Sequence, residues 1–180
     1  MIKKILLAVA LVAYQPAIAD QNSEELPELF GKLQQAESQK QAALIEAEIW
    51  KTWYKRAQDD GGKSMTNAIQ AMGAGRHTVA LALLDGLVKE ESDFAEAWNR
   101  RATIHYLLGN YNQSLLDIEQ ALTLEPRHFG AISGIGMIML KLGETDKALH
   151  AFERVLDISP HNVGATKSVK QLVKKLGSSI

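Results

Sequence analysis

The chain has 180 residues, of which 46% are apolar and 23% charged, with 13 Gly, 4 Pro and no Cys. This composition argues against disorder, collagen and a membrane bundle. A net charge of −1 gives no basic excess of the kind that displaces phosphate counterions, so no nucleic-acid partner is expected, and without cysteine there is neither a disulfide nor a thiolate metal site.

Residues 1–19 have the layout of a cleavable export signal. Lys3 and Lys4 precede an apolar run from Ile5 to Ala13, and Ala17-Ile18-Ala19 supplies small residues before Asp20. The run is well short of the ~20 residues a helix needs to span a bilayer, so a periplasmic location is expected, with an uncleaved signal anchor as the alternative. Removing this segment takes two lysines and no acid, leaving acids in slight excess.

Aromatic residues make up 6% of the chain, and the β-branched bias of strands is lacking, so helix is favoured over sheet. Leu26, Leu29, Phe30 and Leu33 form one apolar stripe at helical spacing. Ala43, Ala47, Trp50 and Tyr54 form a second, and both read as helices flanking the central part of the chain. Trp50 and Trp53 are read either as packing core or as exposed protein-binding anchors. Asp59, Asp60, Gly61 and Gly62 read as a linker.

From residue 61 the chain repeats itself. Superposing Gly75, Gly109 and Gly143 brings Ala80, Ser114 and Ala148 together, then Leu84, Ile118 and Phe152, then Leu87, Ala121 and Val155, then Ser92, Pro126 and Pro160. All these columns agree on one period without gaps, which predicts three two-helix units at 61–94, 95–128 and 129–162. Within the third, Ile132, Ile135, Met139 and Leu142 recur at helical spacing, Gly143 supplies a stop, and Pro160 closes the second helix. One unit earlier, Gln41 stands in the glycine column, so residues 27–60 read as either a degenerate hairpin or one long helix. After the units, Ala165, Val169, Leu172, Val173 and Leu176 make a stripe on a helix whose other face carries Lys167, Lys170, Lys174 and Lys175. Residues 163–180 are therefore expected to cap the array.

The block Ala95-Glu-Ala-Trp98, Leu108-Gly109-Asn110-Tyr111, Ser114, Ile118, Ala121 and Pro126 resembles a tetratricopeptide-repeat (TPR) unit, and the block from Phe129 does so with Ile132, Gly136, Ala148, Phe152 and Pro160. Departures from the family pattern fall in the first block, with Ser64, Asn67-Ala68 and Ser92, and in the second, with Arg101-Ala102 and His105. The resemblance implies an all-α fold: a right-handed α-solenoid of TPR helical hairpins with an N-terminal helical extension, residues 20–60, and a C-terminal capping helix. It also implies protein or peptide binding in the concave groove, at the second, fifth, sixth, ninth and twelfth positions of each unit. These are Glu96, Asn99, Arg100, Thr103 and Tyr106, then Gly130, Ser133, Gly134, Met137 and Leu140. Arg100 is expected to grip a carboxylate, Asn99 to pair with peptide backbone, and Tyr106 with Met137 to form an apolar seat over a floor lowered by glycines. In the family's chaperone-binding members a basic and amide clamp holds a C-terminal carboxylate. Here Met65, Ile69, Gly130 and Gly134 occupy the clamp positions, which argues against that partner class.

No enzyme, cofactor or metal is expected. The five histidines include no His-Glu-x-x-His, and His128 and His161 read as exposed loop residues. Gly134-Ile-Gly136 lacks the third glycine and the strand of a dinucleotide loop. The lysine face of the last helix suggests either a solubilising cap or a weak contact with anionic membrane, a membrane-surface recruitment role being the alternative function. Self-association through an end of the array is also open.

Overall fold

The computed structural model describes residues 23–54 and 60–177, so the expected export signal lies outside the described residues. Among the described residues there are nine α-helices and no strand: α1 (Glu25–Gln34), α2 (Gln39–Tyr54), α3 (Asp60–Gly73), α4 (His77–Glu90), α5 (Ala95–Leu107), α6 (Tyr111–Leu124), α7 (Phe129–Lys141), α8 (Thr145–Ile158) and α9 (Val163–Gly177). None is long and apolar enough to cross a membrane.

The three units recur in backbone detail. Gly75, Gly109 and Gly143 sit at φ 69°, 78° and 78°, the left-handed region that glycine enters without a Cβ penalty. At each, the next residue donates back to the preceding helix: Arg76 to Ala71, Asn110 to His105 and Glu144 to Met139, at 2.8, 2.8 and 2.9 Å. This is the Schellman closure, which satisfies carbonyls that would otherwise be orphaned at the helix end. Leu142, read as part of the α7 stripe, is instead the C-cap of that helix and is 53% exposed.

Inside each unit a small residue on the first helix faces a large one on the second: Ala68 and Leu84 share one core cluster, Ala102 and Ile118 another. In the third unit the contact is tightest, for a Cβ on Gly136 would lie 2.7 Å from the Phe152 ring. Leucine is replaced at Arg101 by a polar solution. Its guanidinium donates two bonds to Asp117 at 2.8 and 2.7 Å and one to Asp85 at 3.0 Å, and lies 4.8 Å from the Trp98 ring. The bonds to Asp117, above all, raise the Arg101 pKa.

Before the array, α1 and α2 form a hairpin and not one long helix. Ser38 immediately precedes α2, its hydroxyl accepting from the Gln41 amide at 3.3 Å while the Gln41 side chain accepts from the Glu37 amide at 2.9 Å, a reciprocal arrangement akin to a capping box. Gln41 therefore helps to start a helix where the repeat pattern would put a turn glycine. Asp60, Gly61 and Gly62, read as linker, have helical backbone in α3, and residues 55–59 lie outside the described residues.

The hairpin is not simply a flank of the first unit. Leu26, Leu33, Ile49 and Trp53 are buried in one cluster with Phe129, Ile132, Phe152, Val155 and Leu172, so it folds back onto the third unit and α9. The Gln34 side chain donates to the carbonyls of Asp157 and Ile158 at the end of α8. Glu46 accepts from Ser159 and Asn162, each at 2.7 Å, in the turn before α9. The face of α2 that packs is Ala42, Ile49, Thr52 and Trp53, whereas Ala43 and Ala47 of the expected stripe are exposed. At the other end, α9 packs on α8 through Ala165 and Leu172.

Candidate functional site

The first helices of the second and third units, α5 and α7, lie in contact and present their second, fifth, sixth, ninth and twelfth positions on a common side. The N-terminal end of this surface is taken by the chain itself. Trp50 of α2 sits over Gly130, where a Cβ would lie 2.6 Å from the indole. Trp53 stacks on His128 with centroids 4.2 Å apart and planes 10° apart. His128 is thus fully buried and not an exposed loop residue. Its Nδ1 accepts the Ala131 amide at 3.2 Å, so the ring proton lies on Nε2 and is donated to Glu96 Oε2 at 3.0 Å.

Glu96 collects two further donors, Asn99 Nδ2 at 2.8 Å and Arg100 Nε. With 1% exposure its carboxylate cannot line a groove; it holds the groove's end together from behind. Arg100 also gives Nη2 to the Tyr54 hydroxyl and stands 5.7 Å from the Trp50 ring and 5.3 Å from that of Tyr54. Burial lowers its pKa, and Glu96 already supplies the carboxylate it was expected to find in a ligand. The two charged residues of the expected site are therefore partners of each other.

Next to this closed end is an open cleft of about 190 Å³ between α5 and α7. Asn99, Thr103 and Tyr106 line it from α5, and Gly130, Ser133, Gly134 and Met137 from α7, over Ala102, Ser114 and Ile118. Gly134 deepens it, because a Cβ there would meet Ile118 Cδ1 at 3.0 Å. Among the described residues, none that lines it is charged. Met137 and Leu140 are 44% and 40% exposed, and the Tyr106 ring leans on Tyr111 at 5.9 Å. Among the described residues, no group of three His, Asp or Glu side chains could hold a metal ion.

The tetratricopeptide-repeat family profile matches residues 95–128, and a second profile of the same description matches 131–162. A TPR repeat-containing protein from Rhizobium etli is 37% identical over 125 residues, 67% of this chain and 59% of that protein. Residues 95–162 carry tetratricopeptide repeats. The chain spans 59% of the length of that curated relative. TPR domains are also its structural likeness. The TPR domain of Arabidopsis OM64 matches with a TM-score of 0.62 at 18% identity, over 66% of this chain and 98% of that one. The first TPR domain of Spaghetti (RPAP3), bound to the HSP90 peptide SRMEEVD, matches with a TM-score of 0.61 at 19% identity, over 65% and 95%. At these identities the likeness concerns the fold.

Sequence reasoning missed the role of Trp50, Trp53 and Tyr54 in closing the TPR groove. The signal available was Gly130, a glycine in the first turn of α7 that the family pattern does not require. Its counterpart lies far away in sequence.

Proposed function

We propose that this TPR protein is a protein- or peptide-binding adaptor that seats a segment of its partner in the groove between α5 and α7, acting in the periplasm after export. The observation that supports this reading is the open, uncharged cleft in the TPR groove, with Met137 and Leu140 exposed beside it. Its chemistry differs from that suited to an acidic chain end. The peptide held by the Spaghetti domain carries three acids, whereas here Arg100 is committed to Glu96 and Tyr54. A segment offering apolar side chains suits this groove better.

Introducing a charge at the mouth tests the reading. Met137→Asp is expected to weaken capture of the partner by about tenfold or more, equivalent to about 1.4 kcal/mol, with an unchanged helical circular dichroism spectrum because the site is half exposed. The measurement is co-purification with the affinity-tagged full chain. Equal recovery with the variant would place the binding surface elsewhere.

A second reading, recruitment to an anionic membrane surface, draws on Lys167, Lys170 and Lys174, all exposed on α9. It predicts salt-sensitive co-sedimentation with phosphatidylglycerol vesicles that falls when these lysines become glutamates. Unchanged sedimentation would remove it.

A further inference from the structure

We infer that the strip of groove left open beside α2 receives an amphipathic α-helix of the partner, with one large apolar side chain in the cleft between α5 and α7; this rests on the groove as the binding surface. The first support is the chain's own use of the surface. Glu46 of α2 meets the turn before α9, Trp50 and Trp53 meet His128 and Gly130 at the start of α7, and Tyr54 meets Arg100 of α5. One helix thus already lies across the N-terminal halves of α5 and α7. α7 has 13 residues, about 20 Å at 1.5 Å per residue, and packed helices lie about 8–10 Å apart. What α2 leaves uncovered is about one further helix wide.

Hydrogen bonding then separates a helix from an extended segment. An extended backbone brings a row of N–H and C=O groups that need partners when buried, whereas a helix satisfies its own. The cleft has few free donors for such carbonyls. Thr103 donates its hydroxyl to the Asn99 carbonyl at 2.9 Å, Ser133 to that of Phe129 at 2.8 Å and Ser114 to that of Ala102 at 2.8 Å, and one N–H of the Asn99 amide goes to Glu96. What the surface offers is apolar contact from Tyr106, Met137 and Leu140. Its volume of about 190 Å³ compares with the roughly 150 Å³ cavity that admits benzene, which suits a Leu or Phe side chain.

The test uses two displayed libraries of peptides about 14 residues long, near the length at which an isolated helix becomes marginally stable, selected on the immobilised full chain. One library fixes apolar residues at helical spacing and the other at alternating positions. The expected result is enrichment of the helical library, with binding that weakens about tenfold on Met137→Asp. Enrichment of the alternating library with the same sensitivity would overturn the helix and leave the groove intact. Failure of both libraries, or binding indifferent to Met137→Asp, would overturn the helix together with the groove reading.

Discussion

Glu96→Ala is expected to lower the free energy of unfolding by about 3–5 kcal/mol, the usual effect of deleting one member of a buried charged network. The carboxylate accepts from His128, Asn99 and Arg100, and both it and His128 are almost wholly buried. Its removal leaves these donors facing a void, and leaves Arg100 part-buried without its counter-charge. That loss is a large share of the ~5–15 kcal/mol that a domain has in total. Urea unfolding followed at the helical circular dichroism band measures it. Glu96→Gln keeps the shape and one acceptor oxygen and should cost less, about 1–3 kcal/mol for a partly unsatisfied buried group. Equal, small losses for both variants would mean that the network does not bind α5 to α7.

Trp53→Ala is expected to cost about 3–5 kcal/mol, the range for truncating a buried aromatic. The ring is 1% exposed, stacks on His128 and packs 6.2 Å from Phe30 and 5.2 Å from Phe129. It is the point at which the N-terminal hairpin enters the core of the third unit, so its loss weakens the hairpin's attachment before the array itself. Limited proteolysis should accordingly cut the variant within α1 or α2 at a protease level that spares the same helices in the parent chain. A loss under about 1 kcal/mol with unaltered proteolysis would show that this seat does not secure the hairpin.

The array was legible because its information is local and repeated. Gly75, Gly109 and Gly143 each close a helix through the same left-handed turn, and the small and large residues of each unit face each other at fixed offsets, as Gly136 does with Phe152. The seat of the N-terminal hairpin was not legible, because it depends on Trp50 and Trp53 meeting Gly130 and His128, which lie in a distant part of the chain. Helical spacing placed Ala43 and Ala47 on the packing face, yet two stripes coexist on α2 and tertiary contact selected the other. The same limit applied to Arg100 and His128. Position within a unit put the first in the groove and the second in a loop, but only the fold reveals that Glu96 binds both. For Asn99, Thr103, Tyr106, Ser133, Gly134 and Met137, position in the unit was enough to bring them to one cleft.

The most direct test of the groove as the binding surface is photocrosslinking from a photoreactive phenylalanine at position 106 of the full chain, inside the cells that make it, with a second probe at Leu116, which is exposed on α6 outside the cleft. The expected result is a discrete protein adduct from position 106 that Met137→Asp abolishes, and none of the same mass from position 116. An adduct from position 116 with none from position 106 would contradict binding in the groove.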